Sequence, residues 1–277
     1  LQDFIARFSA NASKSKQATS RKKQLEKITL GDIQPSSRQY PFIKFDFERE
    51  LGNDLLRVEN VSKTIDGVKV LDNISFSVKP DEKAAIVSRN DVATAVLMQI
   101  LAGEVQPDAG TVTWGVTSQQ SYLPRDTNSA FNDDQLIILD WLRQFAAKGE
   151  DDNTFLRGFL GKMLFSGDEV TKEINVLSGG EKVRCILSKI MLQKSNTLLL
   201  DDPTNHLDLE SITSLNDALI DFKGALIFTS HDHQFIQTIA DHIIEVSANG
   251  LVDRAETNYD EFLAHPELQK QVAKLYA

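Results

Sequence analysis

Three short stretches hold residues whose types and spacing suit chemistry on an anion. The first, Leu177-Ser178-Gly179-Gly180-Glu181, stands where a helix should begin. Two glycines let backbone N–H groups approach an anion closely, Ser178 adds a hydroxyl donor, and a helix N-terminus carries partial positive charge. The second is Leu198-Leu199-Leu200-Asp201-Asp202, continuing Pro203-Thr204-Asn205-His206-Leu207-Asp208. An apolar strand that ends in two acids sets carboxylates at the C-terminal edge of a parallel sheet, where ligands bind. There Asp201 suits Mg²⁺ held through water, and Asp202 suits orienting or deprotonating an attacking water. In the third stretch another apolar strand ends in Ser230-His231-Asp232, which puts His231 at the same edge. Taken singly, each has a plain structural explanation: an N-cap and turn, a helix cap, a satisfied histidine. Their order and spacing together favour chemistry.

The elements that must position these residues follow from hydrophobic patterning. Short apolar runs at Leu55–Glu59, Ile74–Val78, Ala84–Ser88, Thr111–Thr113 and Gln119–Leu123 predict strands, with a helix over about 94–102. Residues 135–176 predict a mostly helical insert. Beyond it the pattern predicts helix 180–192, strand Thr197–Asp201, helix 208–221, strand Ala225–Ser230, helix 232–240, and strands near 242–246 and 250–253. Buried strands alternating with helices imply an α/β fold with a mainly parallel core sheet, and the early turns add an antiparallel part.

The chain has 277 residues, 41% apolar and 25% charged, which describes a folded globular protein and excludes a wholly disordered one. No apolar run approaches the eighteen residues of a membrane span, so no membrane segment is expected. The single cysteine, Cys185, excludes a disulfide framework and a CxxC metal site, and its apolar neighbours predict a buried, inert thiol. His231, His233 and His242 do not form a metal-ligand set on one face, so zinc is not expected. Trp114 and Trp141 are expected to fill core or domain contacts. The reducing compartment that the lone cysteine suits, with no recognisable signal peptide, implies a cytoplasmic location. Position 1 is Leu1, and the chain reads as a fragment or processed form.

Charge is unevenly spread. Residues 1–28 hold Arg7, Lys14, Lys16, Arg21, Lys22, Lys23 and Lys27 against Asp3 and Glu26, a net +5 on a chain of −10, which leaves −15 for the rest. A basic arm on an acidic body points to contact between the arm and a polyanion, or else to a solvated helix face. Leu1, Phe4, Ile5, Phe8 and Ala12 recur at helical spacing, and Gly31 and Pro35 end that pattern. The expected organisation is a basic helical segment over 1–31, a connector over 32–54 and a main domain over 55–253. The domain includes a helical part at about 127–180, and a helical tail covers 254–277. In the connector, Tyr40, Phe42, Phe45 and Phe47 are candidates for docking on the body.

The three stretches together resemble the ATP-binding cassette (ABC) ATPases, a P-loop NTPase family. Leu177–Glu181 resembles their signature motif, Leu198–Asp202 their Walker B strand with the acid that follows, Asn205-His206-Leu207-Asp208 their D-loop, and His231 their switch histidine. The segment Phe8-Ser9-Ala10-Asn11-Ala12-Ser13-Lys14-Ser15, running on to Ile28, resembles the close of the charged linker between the two cassettes of ABC-F proteins. Pro203–Asp208 is similar to that subfamily's wording, and Asn258-Tyr259-Asp260-Glu261-Phe262 to the segment after its last strand. The resemblance implies a second cassette with ATP and Mg²⁺ as ligands and the first cassette of the same protein as partner. It also implies translation-associated work, with ribosomal RNA as a contact of the basic segment. A homodimer of the fragment is a further possibility. Two alternatives stay open: the ATPase subunit of a membrane transporter, and a non-catalytic pseudo-ATPase module that completes or regulates its partner.

The family's phosphate loop reads G-x-x-G-x-G-K-[ST] between a strand and a helix. Here the matching residues are Ser88-Arg89-Asn90-Asp91-Val92-Ala93-Thr94-Ala95. Ser88, Asp91 and Ala93 stand for glycines, Thr94 for the lysine, and Ala95 for the hydroxyl that meets Mg²⁺. Side chains at the glycine positions resist φ > 0 and keep backbone from phosphate. Each charge-assisted bond lost with the lysine removes roughly 1.5–3 kcal/mol, about ten- to a hundredfold in binding. Ile65 stands where the resemblance implies an aromatic on adenine, and Arg125 where it implies the Q-loop glutamine. Arg125 would partly restore positive charge near the phosphates. Asp202 for the usual Glu shortens the base by one methylene, which misplaces a water by about 1 Å and slows chemistry on the order of 100-fold. The expectation is an asymmetric cassette: an intact signature beside a degenerate phosphate loop that binds ATP weakly and leaves the fragment weak or inactive alone.

Overall fold

The structure, a computed structural model, describes residues 39–277. The basic segment 1–31 and the first part of the connector lie outside the described residues. Two sheets organise the rest. The strands β1 (Leu56–Ile65), β2 (Val68–Val78) and β4 (Ala109–Trp114) form an antiparallel sheet in the order β2-β1-β4. Asp66-Gly67, both at positive φ, turn β1 into β2. The larger sheet has the order β5-β6-β7-β3-β8-β9, from β3 (Lys83–Val87), β5 (Gln120–Leu123), β6 (Thr197–Asp201), β7 (Ala225–Thr229), β8 (His242–Ser247) and β9 (Gly250–Ala255). Its first five strands are parallel and β9 returns antiparallel to β8.

Every residue of β6, β7 and β8 is buried, which fits strands covered on both faces. One apolar cluster lies between this sheet, the antiparallel sheet and helix α1 (Asp91–Leu101). A second lies on the opposite face, under the remaining helices. These are α2 (Ile138–Arg143), α3 (Asn153–Lys162), α4 (Gly179–Gln193), α5 (Leu209–Asp221), α6 (His233–Ile239), α7 (Tyr259–Ala264) and α8 (Pro266–Leu275).

Side-chain caps set most helix starts. Asp208 accepts from Ser211 N–H, Asp232 from Phe235 N–H, and Asn258 forms a capping box with Glu261. Helix α4 ends on Lys194 in the left-handed region (φ 48°).

The insert expected to be mostly helical is more broken than its composition suggested. Between residues 127 and 176 it holds only two short α-helices, three 3-10 turns and a lone bridge from Ile137 to Glu173. Asp126, Asp152 and Ser166 each start a separate short element there. The connector splits as well. Ile43 and Phe45 are buried and Phe47 is half-buried, whereas Tyr40 and Phe42 stay exposed. Phe45 and Phe47 both meet Phe222 edge-on, with ring centroids 6.1 and 5.9 Å apart.

Candidate functional site

Parallel pairing of β3, β5, β6 and β7 brings their C-terminal ends to one edge, and four of the singled-out segments leave from there. Ser88-Arg89-Asn90 follows β3, Arg125 follows β5, Asp201 ends β6, and Ser230-His231 follows β7. Asp201 is 1% exposed. Its Oδ1 accepts from the Thr229 hydroxyl at 2.7 Å and from Arg125 Nε at 3.1 Å, with Arg125 Nη2 at 3.0 Å. The same guanidinium donates from Nη2 to Thr94 Oγ1 (3.3 Å) and from Nη1 to the Asp91 carbonyl (3.5 Å). Burial raises the Asp201 carboxyl above the ordinary carboxylate range, and the contacts from Thr229 and Arg125 offset this only in part.

The stretch matched to the phosphate loop, expected to become helical at about residue 94, is helical from Asp91. Asn90 is the N-cap and α1 begins at Asp91, so Ser88–Asn90 alone form the loop. None of Ser88–Ala95 has positive φ. Several N–H groups that would face an anion already have partners. Arg89 N–H donates to the Tyr276 hydroxyl, Asn90 N–H to Ser88 Oγ, Val92 N–H to Asn90 Oδ1 and Ala93 N–H to the Asn90 carbonyl, each at 3.0 Å. Tyr276 donates onward to the Val246 carbonyl, and its ring lies 4.4 Å beneath the Arg89 guanidinium. Asp91 points its carboxylate at His231, with Oδ1 3.3 Å from Nε2, and both side chains are about 60% exposed.

These residues do not fit a magnesium–triphosphate group at this loop. A cation reaching Asp201 Oδ1 meets a guanidinium already in contact, and Ala95 offers no hydroxyl. An anion meets the Asp91 carboxylate and N–H groups already engaged. The cavity among Ser88, Asp91, Thr94, Arg125, Ser230 and His231 measures about 170 Å³, below the roughly 300 Å³ where small-molecule sites begin. Ile65 is half-buried at the end of β1.

The signature stretch is built differently. Ser178 caps α4 in a reciprocal box: its N–H donates to Glu181 Oε2 (2.8 Å), and Glu181 N–H donates to Ser178 Oγ (3.3 Å). Burial alone would raise the Glu181 carboxyl, but the Ser178 N–H and Lys172 Nζ, 2.9 Å away, hold it below the ordinary range. Leu177 is buried. Gly179 and Gly180 press on the loop after β6. A Cβ on Gly179 would lie 2.9 Å from the His206 ring, and one on Gly180 would lie 2.6 Å from the His206 carbonyl oxygen.

That loop is tightly turned. Asp202 (φ 52°) and His206 (φ 67°) are both left-handed, a conformation that Asp and His tolerate better than most residues. Asp202 N–H donates to Thr229 Oγ1 (2.9 Å), and Asn205 N–H donates back to the Asp202 carbonyl. Leu207 packs against the large core, and Asp208 caps α5 with Arg184 3.9 Å away.

The site thus gathers Arg125, Asp201, His231, Thr94 and Asp91 at one place, and joins the signature to Asn205–Asp208. Sequence reading missed Thr229 and Tyr276. Thr229, the polar end of the Ala225–Thr229 strand and partner to both acids, had a visible signal in its place beside Ser230. Tyr276, far along the chain, had none. Cys185 is fully buried, and burial pushes its thiol well up, as expected of a small inert core residue. Trp141 is buried, and Trp114 donates to the Leu101 carbonyl.

Comparison with known proteins adds an independent line. A family model described as ABC transporter matches residues 71–205, and a second of the same description matches residues 1–45. The chain is similar to the ABC transporter ATP-binding protein YkpA of Bacillus subtilis (strain 168), with 61% identity over all of this chain and 51% of that protein. It is 43% identical to the probable ATP-binding protein YbiT of Escherichia coli O157:H7, over 95% of this chain and 49% of that protein. The chain therefore spans about half the length of these curated relatives. Among solved structures it is similar to the ATP-binding cassette MJ0796, a dimer bound to ADP and Pi, with a TM-score of 0.61 and 16% identity over 74% of this chain and 100% of that one. At that identity the likeness shows the fold alone.

Proposed function

Because this chain carries the ATP-binding cassette of the ABC transporter family, we propose that it serves as the second cassette of an ABC-F-type protein. Its fold is the α/β ABC ATPase fold, and domains of this kind bind ATP, usually with Mg²⁺, and generally hydrolyse it. In this reading the chain lends its signature stretch to ATP held by the first cassette of the same protein and does little with ATP at its own loop. The observation that carries the reading is the contrast within one fold. Ser178–Glu181 forms an ordered, capped helix start, whereas the Ser88–Ala95 stretch is closed on itself by Arg125, Asp91 and Tyr276.

The chemistry follows from that contrast. With ATP in the first cassette's loop, the Ser178 hydroxyl and the α4 N-terminus supply donors and positive potential to its phosphates. Gly179 and Gly180 let His206 pack close, and this packing fixes where the α4 N-terminus stands relative to the loop Asn205–Asp208. Asp202 and His231 stay at the edge of the chain's own sheet as a base and switch pair for a site with little or no turnover.

The ABC-F assignment draws on the linker-like residues 8–28, the Pro203–Asp208 wording and relatives about twice this length. Work on the ribosome, contact of the basic segment with RNA phosphate and a cytoplasmic location belong to the same proposal. Among the described residues no helix is long and apolar enough to cross a membrane.

The test is steady-state hydrolysis by the full-length protein. Ser178→Arg should lower it about 100-fold, the scale of losing a donor aimed at developing charge. Unchanged turnover would overturn the proposal.

A further inference from the structure

We propose that this cassette carries its own charges where a magnesium ion and a phosphate would sit: Arg125 is the resident cation of Asp201, and the Asp91 carboxylate is the resident anion facing His231. The inference rests on the proposed function and deepens it, since a site balanced from within has no need of nucleotide to hold its shape.

The argument begins at Asp201. A carboxylate with 1% exposure needs a compensating charge or a full set of donors. Arg125 supplies the charge, with Nη2 3.0 Å from Oδ1, and one donor to that oxygen, Nε at 3.1 Å. The Thr229 hydroxyl adds a second donor to the same oxygen at 2.7 Å. A divalent ion at this oxygen would have to displace the guanidinium or accept a positive neighbour at contact distance.

Arg125 reaches further. Its Nη2 donates to Thr94 and its Nη1 to the Asp91 carbonyl, so one side chain ties β6 to the first turn of α1. That turn presents Asp91, whose carboxylate is favoured at a helix N-terminus, toward His231 at 3.3 Å. A phosphate approaching His231 therefore meets an anion already in place. Helix α1, Arg125 and the ends of β6 and β7 are thus joined by one chain of contacts.

The experiment uses the 277-residue chain, with Mn²⁺ and Mg²⁺ alone as probes. Thermal melting with and without millimolar Mg²⁺, and Mn²⁺ binding by electron paramagnetic resonance, are measured for the wild type, Arg125→Lys and Arg125→Gln. The wild type should melt at the same temperature with or without Mg²⁺ and bind no Mn²⁺ at Asp201. Arg125→Lys, which keeps the charge, should behave likewise. Arg125→Gln leaves a buried carboxylate unpaired. It should melt on the order of 5–10 °C lower, recover part of that loss with Mg²⁺, and acquire a Mn²⁺ site.

Mn²⁺ binding by the wild type that Asp201→Asn abolishes would overturn the inference. So would an Arg125→Gln protein that melts like the wild type and takes up no metal. If Arg125→Gln does not fold, the wild-type and Arg125→Lys metal measurements decide alone. Metal binding by the wild type without nucleotide would sink this inference and leave the signature-donor function standing. Loss of that function would show instead as an unaffected Ser178→Arg full-length protein.

Discussion

Gly179 and Gly180 are adjacent but should not respond alike to a methyl group. At Gly179 the obstacle is the His206 imidazole, a side chain that can rotate; at Gly180 it is the His206 carbonyl, part of a loop held at φ 67°. Gly180→Ala is therefore predicted to lower the melting temperature more than Gly179→Ala, and equal effects would contradict the close backbone approach. Gly158 supplies the control. It lies inside α3 with nothing within 4 Å of an added methyl, so Gly158→Ala should raise the melting temperature by about 1–4 °C. His242 makes a pH prediction. Its ring bridges Glu82 Oε2 at 2.9 Å and Asp253 Oδ1 at 2.5 Å, and Glu82 also faces Lys79 at 3.6 Å. Burial alone would lower the imidazole's pKa, but bonds and charge from Asp253 and Glu82 raise it above the ordinary value. A raised folded pKa means a contribution fully present below about pH 6.5 and lost as pH climbs through the folded value. The melting-temperature gap between wild type and His242→Gln should narrow over that interval; a gap that widens with pH would contradict the buried imidazolium.

At the scale of elements, Phe222 at the end of α5 anchors the connector through edge-on contacts with Phe45 and Phe47. Phe222→Ala should cost about 3–5 kcal/mol in urea denaturation and open residues 41–50 to protease, whereas intact protection would mean the connector is held elsewhere. Element-level reading of the sequence succeeded where burial is two-sided. The runs Leu198–Leu200 and Leu226–Phe228 have no polar interruption and read directly as central strands. It failed where a single polar residue decides a boundary. Asn90, accepting the Val92 N–H, starts α1 at Asp91 rather than near residue 94 and so turns the second half of the expected loop into helix. The antiparallel return of β9 rests on a tight turn at Gly250 (φ 123°), and the docking of Tyr276 on Arg89 is a contact across 187 residues. Local pattern carries no information about a contact of that kind. That Asp201 and His231 meet at one sheet edge was legible in the two apolar strands that precede them, but the filling of the loop by Arg125 emerges only when β5 is laid beside β6.

For the whole molecule, the proposed role divides labour between two cassettes and gives this chain the capping half. The proposed contact of the basic segment with RNA is tested at the same scale. Neutralising Lys14, Lys16, Arg21, Lys22, Lys23 and Lys27 in the full-length protein should flatten the salt dependence of ribosome binding, and an unchanged slope would assign that segment to structure alone. The central claim is tested most directly by titrating the 277-residue chain with Mg-ATP and following both bound nucleotide and released phosphate. The account predicts no saturation below about 1 mM and no repeated turnover, because Thr94 carries no charge to offer a phosphate and the N–H groups of Arg89, Asn90, Val92 and Ala93 already have partners. Micromolar affinity with multiple turnovers at Ser88–Ala95 would contradict it.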